Sequence, residues 1–268
     1  RKLAAAHWWD GTSINRVQDN YVVQWGDAGY DNPESGETEQ KALPEGLEVM
    51  EESDYEALLS ELPRKGPSAM DLLRACKKEG GCSISDLSPE AQAMVKRIQQ
   101  SAMFNDPYAY GTRFRSGWPL SFQRKTQSIS PIHCYGAVGV GRNYSPDTGS
   151  GAELYTVIGH SPRHLDRNIA VVGRVIEGIE HLSSLPRGKG QLGFYEDASK
   201  RVPITAIRLG NALAEEASPS FEYLDTEGET FAKYADARAN RRDPFFIVPA
   251  GGADICNIPV PVRRVSGE

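Results

Sequence analysis

The sequence has no apolar run approaching the ~20 residues that a helix needs to cross a bilayer, so no membrane-spanning helix is expected. Positive charge is short as well. With 30 Lys+Arg against 36 Asp+Glu the net charge is -6, which offers no electrostatic footprint to a polyanion such as nucleic acid or an acidic membrane face. Cysteine is scarce. Four residues, Cys76, Cys82, Cys134 and Cys256, are too few for a disulfide scaffold, and no C-x-x-C run of the zinc or thioredoxin kind occurs. An even number still permits one or two bridges in an oxidising compartment. Cys76 and Cys82 flank Lys77-Lys78-Glu79-Gly80-Gly81, a helix end followed by a flexible turn. They are the better candidates for a bridge, and spacing alone leaves the alternative of two unpaired thiols open.

Chemical motifs are few. No G-x-S-x-G elbow accompanies the plentiful Ser, His and Asp. Gly188-Lys189-Gly190-Gln191-Leu192-Gly193 has the form G-x-G-x-x-G, but it follows a helical stretch and precedes Phe194-Tyr195 instead of opening a helix after a strand. It reads as a turn, not a dinucleotide loop. His160 and His164 are spaced like a helical metal pair, yet Gly159 and Pro162 argue against a helix and no third ligand is near in sequence. No metal and no cofactor are expected.

What is present is a chain of 268 residues, 39% apolar, enough for one substantial core and a satellite lobe. Residues 14–24 combine β-branched and aromatic residues around Asp19-Asn20, the signal of a strand, tight turn and strand. From Asp31 to about Ser130 the texture turns to Pro and Glu and then to helical stretches at 55–62, 67–78 and 89–100; Ser88 and Pro89 stand as N-cap and first residue of the last. Four short apolar runs follow, at 137–140, 154–158, 169–172 and 204–207, with a helix around 176–184. Thr226 and Glu229 form a capping-box pattern before a further amphipathic helix. Trp8-Trp9 is read as core packing. Many short strands with few helices favour an antiparallel barrel over a doubly wound sheet.

Two segments carry a resemblance. Asn15 through Asp27 holds Arg16, the turn, Tyr21, Val22 and Gln24-Trp25-Gly26-Asp27; Leu165-Asp166 leads to Val172-Gly173-Arg174-Val175-Ile176-Glu177-Gly178. With Gly136 to Arg142 and Gly151 to Ile158 between them, these blocks resemble the cyclophilin family of peptidyl-prolyl isomerases. The family runs Gln-Gly-Gly-Asp where Trp25 interrupts here. The resemblance implies a mainly β fold, an eight-stranded antiparallel barrel closed by two helices, with the first strand or two preceding Arg1 and a helical lobe inserted. On that reading residues 1–48 and 128–210 form the barrel, 49–127 a helical insertion, and 211–268 a C-terminal extension that docks on the barrel.

The chemistry implied needs no covalent step. Rotation about an X-Pro bond meets a barrier of ~18–20 kcal/mol because the amide is resonance-stabilised. An enzyme need only hold the proline ring in an apolar pocket and place a guanidinium where it stabilises the twisted amide. By resemblance Arg16 is the catalytic arginine, with Tyr21, Val22, Tyr155 and Leu165 as the pocket and Gln24 holding substrate backbone or orienting Arg16. Further positions depart from the family: Glu153 replaces Gln, Ile169 replaces a frequent His, and His164 replaces a frequent Trp. Tyr155 adds a hydroxyl. Glu153 is expected to pair with Arg16 and draw it off the substrate, and Arg142 either binds substrate carbonyls or pairs with Glu153.

The expected function is a peptidyl-prolyl cis–trans isomerase acting on proline-containing polypeptides and assisting protein folding. The alternative is a catalytically weak module that binds a protein partner on the helical insertion. Residues 1–7 read as the end of a helix without the basic-then-apolar layout of a signal, so further sequence is expected upstream. A periplasmic or secreted location is expected from the paired cysteines, with the cytoplasm as the alternative.

Overall fold

The Asp19-Asn20 turn forms where the sequence predicts it, in a computed structural model that describes residues 1–62, 85, 88–89, 92, 106–214 and 218–265. Asn20 takes the left-handed conformation, φ 51°, which asparagine tolerates better than most residues. The strands it joins are β1 (Ser13–Val17) and β2 (Val22–Gly26), antiparallel, with Arg16 opposite Gln24 and Val17 opposite Val23. Between Ile14 and Arg16 the register slips, a bulge with Asn15 as the extra residue.

The further strands, in chain order, are β3 (Ala57–Leu58), β4 (Gly111–Arg115), β5 (Trp118–Gln123), β6 (Ser128–Pro131), β7 (Ala137–Val140) and β8 (Glu153–Val157). They are followed by β9 (Val171–Arg174), β10 (Val202–Pro203), β11 (Phe221–Tyr223) and β12 (Val262–Arg264). One sheet has the order β10-β1-β2-β8-β7-β9, all neighbours antiparallel; a second has the order β3-β6-β5-β4, and β11 pairs with β12. The expected closed eight-stranded barrel is therefore not found. Among the described residues the larger sheet has six strands and stays open, because its end strands β10 and β9 do not pair.

The chain divides into two units, residues 1–56, 131–222 and 262–268 in the first and 57–130 and 223–261 in the second. The first holds the six-stranded sheet. Within the stretch read as helical, 55–62 is not a helix: a short 3-10 turn, Glu52–Tyr55, leads into β3, which pairs with β6. Isolated helices of that length are marginal, and cross-strand pairing overrides the propensity. β4 and β5 form a hairpin through Ser116 and Gly117, both at positive φ, as a two-residue turn of the primed type requires. The expected helices 67–78 and 89–100 lie almost wholly outside the described residues, as do Cys76 and Cys82. Cys134 and Cys256 are both disulfide-bonded. In the second unit the helix Glu229–Ala239 buries Phe231, Ala235 and Ala239. Its N-cap is Gly228, and Thr226, expected to cap it, instead accepts the Gly117 N–H at 3.0 Å.

Pleating sends alternate residues of β2 and β8 to opposite faces. Val23 joins Ile14, Val17, Ile158 and Tyr195, while Leu154 joins Leu3, Trp8, Trp9 and Tyr55, which bears out the two tryptophans as core. The other face carries Val22, Gln24, Glu153, Tyr155 and Val157, where the candidate site lies.

Candidate functional site

Cross-strand register places Arg16, Gln24, Tyr155 and Gly139 in one row across four adjacent strands. Two glycines permit this approach. Gly26 sits at φ 125°, where a Cβ would come within 2.1 Å of the Ala152 carbonyl oxygen, and at Gly139 a Cβ would lie 2.3 Å from the Tyr155 ring. Only glycine lets β2 close on β8 and lets the Tyr155 ring lie over β7.

At one end of the row Arg16 is partly buried and held from three sides. Its Nε donates to the Leu192 carbonyl at 2.7 Å, Nη1 donates to Gln24 Oε1 at 2.8 Å, and Nη2 donates to Gln18. The guanidinium carbon stands 5.9 Å from the Tyr21 ring centroid and 5.6 Å from that of Phe194, within cation–π range. Burial works against its charge and lowers its pKa. The glycine-rich run at 188–193 is a turn whose Leu192 carbonyl anchors this arginine.

Behind Arg16 stands a buried polar relay. Gln24 Nε2 donates to Glu153 Oε2 at 2.9 Å, and Asn15 Nδ2, on the bulge, donates to Glu153 Oε1 at 2.9 Å. Glu153 thus does not pair with Arg16 as expected; Gln24 lies between them. Nor does Arg142 pair with it, since Arg142 donates to the carbonyls of Asn168 at 2.9 Å and Asn143 at 2.6 Å. Glu153 is wholly buried, and that burial pushes its carboxyl up to about 8, against the hydrogen bonds from Asn15 and Gln24. Around neutral pH the group carries its proton.

Beside Arg16 lies an apolar cluster of Val22, Ala137, Tyr155 and Val157, against which Tyr21, Leu165 and Ile169 pack. The His164 ring stacks on Tyr21, centroids 6.1 Å apart and planes 18° apart, while His160 bonds Asn20 through its ring nitrogen at 3.2 Å. All the sequence-predicted pocket residues except Arg142 and Glu153 meet here or at Arg16. The Tyr155 hydroxyl faces a second buried network: it bonds His133 Nε2 at 2.8 Å, His133 Nδ1 bonds Asp166 Oδ1 at 2.9 Å, and Arg163 Nε donates to Asp166 Oδ2 at 2.6 Å. Burial alone would raise Asp166, but the bonds from His133 and Arg163 outweigh it and hold the carboxyl below its ordinary value. Tyr155 is driven well above the usual phenol range by burial.

Sequence reasoning missed Asn15, Gln18, His133, Arg163, Asp166 and Phe194. Asn15, Gln18 and Asp166 stood inside the two quoted blocks. His133 and Phe194 carry no local signal, since only the long-range pairing brings them in.

The antiparallel sheet thus sets one arginine, held through Gln24, beside a packed apolar cluster. The family described as cyclophilin type peptidyl-prolyl cis-trans isomerase/CLD matches residues 1–209, and the chain belongs to that family. Among solved structures it is similar to the cyclophilin AquaCyp293 from Hirschia baltica. The two share 18% identity over 100% of this chain and 81% of that chain, with a TM-score of 0.55, a likeness of fold. No curated protein matches the sequence.

Proposed function

We propose that this chain is a peptidyl-prolyl cis–trans isomerase that assists folding of proline-containing polypeptides, with Arg16 as its electrostatic catalyst and no cofactor. The proline ring rests on Tyr21, Val22, Tyr155, Leu165 and Ile169. As the amide twists, its nitrogen regains a lone pair, and the Arg16 guanidinium stabilises that charge distribution more strongly than it does the planar ground state. The observation that carries the reading is the approach of the Arg16 guanidinium to the Tyr21 ring, 5.9 Å, at the edge of the apolar cluster. Three of its five N–H donors are bound internally, which leaves two for a substrate.

A second reading is a catalytically weak module that binds proline-containing partners. It is favoured by those same internal bonds, which restrain Arg16, and by the polar groups behind the pocket. Exchange spectroscopy on an X-Pro peptide separates the two: accelerated exchange that Arg16→Ala abolishes supports the isomerase, and saturable binding without acceleration supports the module. The bonded state of Cys134 and Cys256 supports a periplasmic or secreted location.

A further inference from the structure

Arg16 is not the only arginine beside the apolar cluster. Arg142 follows β7, three strands across the sheet from β1. The residue before it, Gly141, donates its N–H to the Glu153 carbonyl, and Arg142 Nε donates to the carbonyl of Asn168, the neighbour of Ile169. Burial pushes the Tyr155 hydroxyl up, and Arg142 is close enough for its charge to oppose that push. The side chain is half-buried and held in place: Nε bonds Asn168 at 2.9 Å and Nη1 bonds Asn143 at 2.6 Å. Of the five N–H donors of a guanidinium, three remain. Both acceptors are neutral, and among the described residues no carboxylate pairs with Arg142. Other arginines of the same unit are ion-paired, Arg187 with Asp19, Arg201 with Glu37 and Arg208 with Asp10. Carboxyl groups near the site are engaged elsewhere. Glu153 carries its proton, Asp166 is bonded by His133 and Arg163, and Asp147 accepts from the backbone N–H groups of Asn143 and Gly149.

We infer that Arg142 is a specificity-determining residue that takes the carboxylate side chain of an Asp or Glu in the bound polypeptide, about two to four residues from the isomerised proline. The spacing comes from the sheet. Three strand steps of about 4.8 Å separate β1 from β7, and an extended chain advances about 3.3 Å per residue. The chemistry comes from the uncompensated charge. A guanidinium already fixed by two carbonyls loses little freedom when a carboxylate docks on its remaining donors, and the bonds formed are charge-assisted. A glutamine in the same place would keep hydrogen bonds and lose the Coulomb attraction. A lysine would meet Arg142 with like charge.

This site rests on the reading of the Arg16 pocket as a proline site, so binding and catalysis are measured separately. X-Pro peptides carry glutamate, glutamine or lysine at each position up to about four residues either side of proline. Their dissociation constants and exchange rates are determined for the wild type, Arg142→Gln and Arg142→Glu, each checked by thermal melting. At low salt the wild type should bind glutamate about fivefold tighter than glutamine at one position, and lysine weakest, a ranking that fades at about 0.5 M salt. Arg142→Gln should level glutamate with glutamine there, and Arg142→Glu should make lysine the tightest, a reversal that a purely structural arginine would not produce. Equal affinity for glutamate and glutamine at every position, the result if Arg142 meets backbone carbonyls instead, overturns the inference. So does a glutamate preference that survives both substitutions. Arg16-dependent exchange without any charge preference sinks the Arg142 site alone; an Arg142-dependent preference without Arg16-dependent exchange sinks the isomerase reading and leaves the carboxylate site standing.

Discussion

Gln24 stands between Arg16 and Glu153, accepting from the guanidinium at 2.8 Å with one end of its amide and donating to the buried carboxyl at 2.9 Å with the other. The carboxyl therefore sets which way the amide points, and the amide sets where the guanidinium rests. Gln24→Met keeps the size of the side chain and removes both bonds. Its kcat/KM should fall about tenfold with binding of the peptide nearly unchanged, because the loss concerns orientation of Arg16 and not pocket area. Kinetics showing KM raised and kcat untouched would mean that Gln24 serves binding instead.

The ionisation of Glu153 links stability to pH. Its folded value, about 8, lies above the ordinary 4.5 because of burial. Between those limits the folded state keeps a proton that the unfolded chain releases, so this group's contribution to stability declines as pH rises and levels off above about 8. Asp31, raised to about 6 chiefly by burial and further by Asp147, adds a decline of the same sign at lower pH. Glu153→Gln removes the first part. Thermal unfolding should show the variant about 5 °C more stable than the wild type at pH 9 and equal to it near pH 5. A constant difference across that range would contradict a buried, protonated carboxyl. Asn15 Oδ1 is buried without a partner, and a half-turn of that amide offers it to the carboxyl proton.

Tyr155 and His133 are partners inside the protein. Tyr155→Phe leaves His133 Nε2 buried without a bond and should cost about 1–3 kcal/mol in denaturant unfolding. The exchange rate should change less than about threefold, since the hydroxyl is engaged with His133 and not with the proline. A large kinetic effect with no stability loss would place the hydroxyl in the reaction.

Native protein alkylated without reductant should show no label at Cys134 or Cys256, with label appearing after reduction, by peptide mass analysis. Labelling of both in native material would contradict their bonded state and the oxidising compartment it supports.

Much of this site was legible in the sequence, the strands from residue types and the site residues from the resemblance that the quoted blocks carry. The hairpin around Asp19-Asn20, the strands at 137–140 and 154–158, and the joint placement of Arg16, Tyr21, Val22 and Gln24 follow from turn chemistry and the two quoted blocks. The open sheet was not legible, because closure depends on whether β9 and β10 meet, and no local preference encodes that. The Ser116-Gly117 turn was legible and missed: its signal lay in a stretch dominated by helical composition. The partners of Glu153 could not be read from sequence, since Arg16 and Arg142 both suggest an ion pair until the structure shows Gln24 between Glu153 and Arg16, and Arg142 donating to the carbonyls of Asn168 and Asn143.

The account turns on the guanidinium of Arg16. Catalysed exchange of an X-Pro peptide, measured for the wild type, Arg16→Lys and Arg16→Ala at matched peptide saturation, tests it most directly. Both variants should lose about a hundredfold or more in kcat, the scale of removing one preorganised transition-state donor, with peptide affinity reduced far less. Exchange rates equal to the wild type in a folded Arg16→Ala protein would contradict it.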